Sequence, residues 1–500
     1  MLLPLVALLT AAGSILLRRG FGLHSGVYDI LLGVANTTLY YSSLGIPTSL
    51  TKFLPEIDAA RGREAVRPFL RRASVARMLL LAPAILAIHV WATELADRLA
   101  LGEHGAPLLR IVTALVVVRA VYDLEIKTLQ AFLAHLPANL LVLLQSLLEP
   151  AMIAACLVLG YGIGGVVGAL SIGATLLAVI GGGLVRSTLR GAPPSGRPAV
   201  APASVPLGGD DPEGVRGPAE WGAAGAGSQS LWRFSLFTYV YELSTYLAGP
   251  AFARLALATT LGRPEPVALF STGYQIAFMS CGLVVSGFRG VYRPMFAHLR
   301  ASSEPARLRE AFEAVSKVQV ALLAPVGVGL VVMAPDFLLL LYGEPFTAAA
   351  PVTRLLVALL FTETAFNLGV ILLSIDERYR AVLGAQAWLL ATAPLFVWFA
   401  SSAGLAAAAV TLGTGRVLVV VSGYLVCRRV YGVRFPWAFA ARVAAVSAAM
   451  GAVVSIGRTL WPTSWLEAAA LSTLGFVIFV AGARAAALLG PAEVELVRRS

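Results

Sequence analysis

The sequence predicts an all-α polytopic membrane protein with about 14 transmembrane helices, arranged as two pseudo-symmetric six-helix lobes plus two C-terminal helices. The chain of 500 residues is 58% hydrophobic and only 13% charged, whereas a soluble domain carries about 25% charged residues. Apolar runs near the length that spans a bilayer, about 20 residues, recur from end to end. Because these runs are continuous and do not alternate in polarity, they predict helices and exclude an outer-membrane barrel.

Fourteen spans follow from these runs. The first six are residues 1–17, 29–50, 78–95, 106–128, 138–159 and 166–185. The next six are residues 234–259, 267–288, 318–333, 352–374, 381–400 and 404–426, and the last two are 437–456 and 465–489. The N-terminal run resembles a signal peptide, but its basic residues follow the apolar stretch instead of preceding it. We therefore expect it to be the first span.

Residues 186–232 are rich in Pro, Gly, Ala and Ser and lack both helical and strand periodicity. Such a composition predicts a disordered linker, which we expect to be cytoplasmic. The chain then divides into an N-terminal lobe, the linker, a C-terminal lobe, and a C-terminal part with two extra helices and a cytoplasmic tail. Their bounds are residues 1–185, 186–232, 233–430 and 431–500.

A weak internal repeat supports the two lobes. When the second span of each half is aligned, Gly22 matches Gly262 and Gly33 matches Gly273. Internal repeats of this kind are typical of transporters.

The net charge of +11 is distributed unevenly. Of the 38 Lys and Arg residues, 28 fall on the side of the predicted membrane that holds the linker and 8 on the other side. The positive-inside rule then predicts that the linker and both termini are cytoplasmic. The rule also accounts for the basic charge without nucleic acid as a partner.

Three local segments carry a family resemblance. Residues 16–56 combine a basic pair, a glycine-bearing turn and the exit Lys-Phe-Leu-Pro-Glu; residues 334–360 contain a Tyr-Gly pair before a helix start rich in small residues; residues 375–381 form a short loop between spans. These segments resemble the multidrug/oligosaccharidyl-lipid/polysaccharide (MOP) flippase superfamily, most closely its polysaccharide (O-antigen-type) transporter branch.

The resemblance implies a flippase that moves a polyprenyl-diphosphate-linked oligosaccharide across the inner membrane, for polysaccharide or lipopolysaccharide biosynthesis. It implies alternating access through a cationic central cavity, driven by an ion gradient. The implied partners are the lipid-linked oligosaccharide, membrane lipids and polysaccharide polymerase or assembly proteins. We expect no cofactor, no metal and no enzymatic activity, since no HExxH, nucleophile elbow or P-loop occurs. A multidrug/cation antiporter, a lipid II flippase and a scaffold that does not transport stay open as alternatives.

Arginine suits a diphosphate cargo, because its guanidinium stays charged and pairs phosphate oxygens bidentately. The resemblance places cavity cations at the ends of the first, second, seventh and eighth spans, although each could instead be an ordinary interfacial residue. Ionisable groups inside spans are costly and therefore functional candidates. The candidate cations are Arg18, Arg19, Lys52, Arg119, Arg254, Arg289, Arg293 and Arg416.

Carboxylates inside the spans are candidates for ion coupling. They are Asp123, Glu149, Glu242 and Glu363. Arg119 and Asp123 stand four residues apart on one helix face, which alternatively predicts a self-neutralising ion pair. Glu242 and Glu363 read as lone acids, and Arg416 as a lone base whose flanking glycines, Gly413 and Gly415, permit close approach by a neighbouring group.

The remaining motifs have structural explanations. The glycines at 160–165 match GxGxxG but lie between two apolar spans, which predicts a turn instead of a dinucleotide site. The three cysteines are scattered through apolar surroundings, and we expect them to be reduced and buried.

Overall fold

A computed structural model of the chain describes residues 2–190, 228–301, 304–376, 378–460 and 464–486; within these ranges it has 17 α-helices and no strand. The first half contains α1 (Leu2–Phe21), α2 (Ser25–Tyr41), α3 (Ile46–Arg61), α4 (Arg63–Val90), α5 (Ala92–Arg98), α6 (Gly105–Ala131), α7 (His135–Val158) and α8 (Ile163–Arg190). The second half contains α9 (Ser228–Leu247), α10 (Pro250–Leu261), α11 (Pro264–Ala301), α12 (Pro305–Tyr342), α13 (Ala350–Phe366), α14 (Leu368–Ile375), α15 (Tyr379–Tyr431), α16 (Trp437–Leu460) and α17 (Trp465–Ala485).

Each predicted span coincides with a helix or a pair of helices, so the predicted fold class is confirmed. Eleven helical segments of the described residues are long and apolar enough to cross a membrane. Two of them, Pro4–Tyr41 and Tyr379–Tyr431, cover two predicted spans each. The second of these turns at Gly404, where φ is 79°. The seventh span is divided between α9 and α10.

Three spans predicted as continuous are broken. The second breaks at Gly45, whose left-handed φ of 69° a residue with a side chain would adopt only under strain. The seventh breaks at Gly249 before Pro250, since proline lacks the N–H that would continue the helix. The tenth breaks at Asn367. Hydropathy is high on both sides of each break, so it does not reveal where the helix stops.

The two basic loops predicted at residues 51–77 and 289–317 are also mainly helical. α3 and α4 are joined at Gly62, and α11 extends to Ala301 before α12 begins at Pro305. Hydropathy marks where a helix leaves lipid, whereas these helices continue beyond that point. Of the predicted linker, residues 186–190 belong to α8 and 228–232 to α9, while 191–227 lie outside the described residues.

The two halves repeat the same packing. α6 packs on α8 and on α2 in the first half, as α13 packs on α15 and on α11 in the second. Gly22 and Gly262 occupy matching turns with left-handed φ values of 55° and 63°. The predicted pseudo-symmetry is therefore visible in both packing and turns. The extra helices α16 and α17 pack on each other and on α12.

The helices define two faces. We call the face where α8 ends and α9 begins the linker side, and the face of the α1–α2 and α10–α11 turns the far side. The lobes meet mainly where α2 packs on α10 and α11, and α1 on α11. Residues of both lobes share one buried apolar cluster there, including Ile30, Leu31, Leu257 and Phe270. Glycine permits close contact: a methyl group at Gly26 would overlap the Pro264 carbonyl.

Candidate functional site

A cavity of about 520 Å³ lies between the lobes. Its walls come from α1, α2 and α7 of the first lobe and from α10 and α11 of the second. Most of the lining is apolar, from Val6 on α1 to Leu283 on α11. Polar groups gather where α1 ends and α2 and α10 begin. The cavity therefore has a charged end toward the far side and an apolar body toward the linker side.

Asp29 is the centre of the charged end. Its Oδ2 accepts a hydrogen bond from Arg18 Nη1 at 3.0 Å, and its Oδ1 lies 3.5 Å from Arg254 Nη2. Arg18 belongs to the first lobe and Arg254 to the second, so one carboxylate bridges the lobes. The side chains of Arg18 and Asp29 are 2% and 4% exposed. Because these side chains are buried, the attraction between their charges is stronger than in water, and either charge would be strongly destabilised without its partner.

Local structure places these three side chains. Arg18 occupies the last turn of α1, and Gly22 reverses the chain so that Ser25 and Asp29 of α2 face it. Ser25 Oγ accepts a second bond from Arg18 Nη1 at 3.3 Å. The break before Pro250 starts α10 at a position where Arg254 Nε donates to Ser271 Oγ on α11, at 3.1 Å. Arg18 Nε has no hydrogen-bond partner within the described part of the chain.

Glu149 lines the same cavity from α7. Its Oε1 accepts from Arg119 Nη2 at 3.0 Å and from Gln145 Nε2 at 2.9 Å. The intrahelical pair expected between Arg119 and Asp123 is therefore wrong. Arg119 instead contacts α7, because the Glu149 carboxylate on that helix lies within hydrogen-bond distance of its guanidinium group.

Asp123 is part of a second polar region nearer the linker side. Its Oδ2 lies 3.9 Å from Nη2 of Arg77 on α4, whose side chain is 2% exposed. Arg77 also donates to the Leu39 carbonyl at 3.3 Å, while its Nε and Nη1 have no hydrogen-bond partner in the described residues. Asp123 is not among the residues that line the cavity.

Glu242 of α9 connects the lobes on the linker side. It accepts hydrogen bonds from Thr48 Oγ1 at 2.5 Å and Ser43 Oγ at 3.2 Å, both at the break between α2 and α3. Ser49 and Ser235 hydrogen-bond across the same boundary at 2.7 Å. Glu242 is thus an interlobe acceptor, not a lone acid.

Arg416 and Glu363, predicted as a lone base and a lone acid, are partners. Arg416 Nε and Nη2 bind the two carboxylate oxygens at 2.6 and 2.9 Å, and Nη1 donates to the Ala248 carbonyl at 2.9 Å. The pair lies inside the second lobe and ties α15 to α13 and to the α9–α10 break. The expected close approach at the flanking glycines is confirmed, since Gly413 faces Leu359 and Gly415 faces Thr392.

Two of the other predicted cations, Arg19 and Lys52, do not line the cavity. Arg19 donates to the Leu341 carbonyl at 2.9 Å and to the Leu340 carbonyl, where α12 ends with unpaired carbonyl groups. Lys52 is an exposed residue of α3. Arg289 and Arg293 lie on α11, and their side chains are outside the described part of the structure.

The described lining carries two arginines and two carboxylates, so its formal charges balance. The expected surplus of positive charge is therefore not found in the described lining. A buried guanidinium needs a counter-charge, and Asp29 supplies one to both cavity arginines. A ligand with several negative oxygens would compete with Asp29 for them.

Sequence reasoning missed Asp29, Ser271 and Gln275, which all contribute to this region. Asp29 was used only to mark the start of the second span. Its position next to an arginine-bearing turn was the available signal. Ser271 and Gln275 are neutral, and helical spacing alone does not distinguish their face from the others.

Other candidate sites are structural. The glycine-rich motif at 160–165 forms the turn between α7 and α8, as predicted. Cys156, Cys281 and Cys427 are buried, and none of them forms a disulfide within the described residues. Among the described residues no group of His, Cys, Asp and Glu could hold a metal ion.

Comparisons with known proteins agree with this architecture. The sequence model of a family described as "Polysaccharide biosynthesis protein" matches residues 219–351. No curated protein sequence matches the chain.

Among solved structures, the lipid II flippase MurJ in an inward closed conformation is similar over 96% of both chains, with a TM-score of 0.74 and 10% identity. A multidrug resistance MATE family transporter of the MOP superfamily is similar in two conformations, each with 14% identity and 86% of this chain covered. The inward-facing form covers 97% of its own chain at a TM-score of 0.64, and the outward-facing form 94% at 0.53.

The chain therefore shares the fold of these solved structures, and eleven helical segments of its described residues are long and apolar enough to cross a membrane. The resemblance drawn from the sequence is thereby confirmed: the chain has the fold of the MOP superfamily, and its residues 219–351 match the polysaccharide biosynthesis family.

Proposed function

We propose that the protein is an alternating-access flippase for a polyprenyl-diphosphate-linked oligosaccharide, exporting it from the cytoplasmic leaflet of a bacterial inner membrane for polysaccharide assembly. The observation that carries the proposal is the Arg18–Asp29–Arg254 cluster at the end of the interlobe cavity. Two guanidinium groups from opposite lobes converge on one carboxylate. A diphosphate offers more oxygens than Asp29 and fits the same planar donors.

The shape of the cavity supports a substrate with a polar head and an apolar tail. Thr10 on α1 and Phe278 on α11 line the cavity and are exposed, and we infer that the cavity opens between these two helices. In our proposal the lipid tail stays in the bilayer at this opening, while the diphosphate and sugars enter the cavity.

The contacts between the lobes support alternating access. The far side is held by the Asp29–Arg254 contact and by Arg19 on the end of α12. Binding of a diphosphate would free Asp29 from the arginines and weaken this closure. Substrate binding and opening of the far side are then coupled through the same residues, since a ligand favours the conformation that it binds more tightly.

The linker side and both termini are cytoplasmic in this proposal, as the distribution of Lys and Arg predicts. A drug/cation antiporter is less well supported, because both cavity carboxylates are paired with arginines. A lipid II flippase has a diphosphate substrate too, and the glycan distinguishes it.

The experiment is deletion of the gene followed by analysis of lipid-linked oligosaccharide. We expect the lipid-linked oligosaccharide to accumulate on the cytoplasmic face of the membrane. Expression of the wild-type protein should restore export, and so should the control variant Arg110→Ala, because the exposed Arg110 side chain lies outside the cavity. Accumulation of lipid II alone would support the lipid II alternative. No accumulation of either would refute the proposal.

A further inference from the structure

Two neutral side chains lie beside the arginine cluster and take no part in the diphosphate binding proposed above. Ser14 of α1 and Gln275 of α11 both line the interlobe cavity. Ser14 lies four residues before Arg18, and Gln275 lies four residues after Ser271, whose hydroxyl group accepts from Arg254. Four residues of a helix are about one turn, or about 6 Å. The pair is therefore one turn from the two guanidinium groups, toward the linker side.

These two side chains form a contact between the lobes. The Ser14 hydroxyl group donates to Oε1 of Gln275. At the other end of the amide group, Gln275 Nε2 donates to Sδ of Met279 at 3.6 Å. A thioether is a weak acceptor, and a side-chain amide group has two N–H donors. A hydroxyl or carbonyl oxygen in the cavity would therefore be a better partner for this amide group than the sulfur atom is.

The hydrogen-bonding groups at this position match one part of the proposed substrate. The diphosphate is bound by charged groups, and the polyprenyl tail has no hydrogen-bonding atoms. The hydroxyl and acetamido groups of a sugar both donate and accept, as Gln275 and Ser14 do. The first sugar is joined directly to the diphosphate, so it is the neutral polar group that lies next to the arginines.

The cavity has space for a sugar ring on this wall. Two turns beyond Gln275 on α11, a methyl group added at Gly282 would have no atom of the described residues within 4 Å. The volume of about 520 Å³ is within the range of sites that hold small ligands, about 300–1,000 Å³. Glycine at position 282 thus keeps open a space that a larger side chain would fill.

We propose that Gln275 recognises the sugar attached to the diphosphate, and that this sugar takes the place of Ser14 at the amide group. Binding then breaks two contacts between the lobes: the diphosphate displaces Asp29 from Arg254, and the sugar displaces Ser14 from Gln275. A ligand favours the state that it binds more tightly, so a substrate with both parts favours opening of the far side more than a diphosphate alone does. The inference rests on the proposed function for the diphosphate and adds the part of the glycan that is recognised.

The test is ligand binding to the purified full-length protein in nanodiscs, measured by displacement of a fluorescent prenyl diphosphate. One ligand is a short-chain prenyl diphosphate that carries N-acetylglucosamine, which has both hydroxyl and acetamido groups. In the other ligand a cyclohexyl ring replaces the sugar. Both have the same diphosphate charge, so the ratio of their dissociation constants measures recognition of the polar groups of the sugar. We expect the wild-type protein to bind the sugar-bearing ligand about tenfold more tightly, as one or two neutral hydrogen bonds would give.

Three variants separate recognition of the sugar from a structural effect. Gln275→Met keeps a similar side-chain length without the amide donors, so this preference should disappear. Ser14→Ala also removes the contact between the lobes but frees the amide group, so the preference should exceed that of the wild type. Gln386→Met is the matched control, because Gln386 accepts a hydrogen bond from Ser244 at 3.0 Å inside the second lobe and does not line the cavity. It should leave the preference unchanged.

A wild-type preference in Gln275→Met would overturn the proposal. An equal loss of preference in Gln275→Met and Ser14→Ala would also overturn it, because a purely structural role of the contact gives that result. If the wild-type protein binds both ligands with the same affinity, the sugar is not recognised, while the proposed binding of a diphosphate still stands. If it binds neither ligand, the proposed function fails as well, so the two failures give different results.

Discussion

The Arg416–Glu363 pair provides a quantitative test of how the second lobe is held together. The two side chains are 16% and 18% exposed and form two hydrogen bonds with each other. Glu363→Ala would leave a guanidinium group inside the lobe with the Ala248 carbonyl as its remaining partner. Removing one member of a buried pair costs about 3–5 kcal/mol. Because the pair is partly exposed, we expect the lower end, about 3 kcal/mol of unfolding free energy.

The double variant Glu363→Ala/Arg416→Ala should cost less than the sum of the single variants, since it removes the unpaired charge as well. We expect a coupling energy of about 2 kcal/mol, within the range of contacting residues. The matched control is the Arg98–Glu94 pair, whose side chains are 71% and 56% exposed. Arg98→Ala should cost under about 1 kcal/mol.

The assay is reversible unfolding in mixed micelles, followed by helical circular dichroism, for the wild type, both single variants, the double variant and the control. Additive losses in the double variant would show that the two residues do not stabilise each other. A loss at Glu363→Ala no larger than at Arg98→Ala would also refute the reasoning.

Three further predictions concern other parts of the fold. Gly45→Ala should lower the thermal midpoint more than Gly22→Ala: both positions have left-handed φ, but only at Gly45 would the added methyl group overlap the Ser235 carbonyl. Burial opposes ionisation of Asp376, but hydrogen bonds from Tyr431, Arg300 and Arg378 keep its pKa below the ordinary 3.8. This stabilisation is present above pH 3.8 and lost as the pH falls below it, so the difference in thermal midpoint between wild type and Asp376→Asn should shrink in acid. In a background with the native cysteines replaced, Ser49→Cys/Ser235→Cys should form a disulfide between the lobes, which then stay joined when the chain is cleaved between residues 191 and 227. The disulfide should stop transport until it is reduced. Unaffected transport by the oxidised form would contradict a moving interface.

Much of the fold follows from the sequence because lipid imposes a simple rule: every spanning segment must be apolar and helical. The 14 spans, and the match between Gly22 and Gly262 in the two halves, could be predicted for that reason. The breaks at Gly45, Gly249 and Asn367 were not, since they lie inside apolar runs. Their geometry depends on neighbouring helices, such as the Arg416 side chain bound at Ala248.

The site could be predicted only in part. Glu149 was identified because a charge inside a span is costly enough to be noticeable, whereas Arg18 and Arg254 were placed at the cavity by the family resemblance. Their partners could not be identified, because Arg119 lies 30 positions from Glu149 and Arg254 lies 225 positions from Asp29. Spacing along one helix suggested Asp123 as the partner of Arg119, but packing between helices decided the outcome. Asp29 was missed because a charged residue at the predicted start of a span has an ordinary interfacial explanation.

The most direct test of the central claim is transport of a fluorescent polyprenyl-diphosphate oligosaccharide by purified protein in proteoliposomes. We predict that Arg18→Ala and Arg254→Ala each reduce the initial rate at least tenfold, that Arg254→Lys retains an intermediate rate, and that Arg110→Ala matches the wild type. Each variant must first show wild-type thermal stability, so that a lower rate is not a loss of folded protein; in either single variant Asp29 keeps the other arginine as its partner. Wild-type rates for both cavity variants would contradict the assignment of the Arg18–Asp29–Arg254 cluster to substrate.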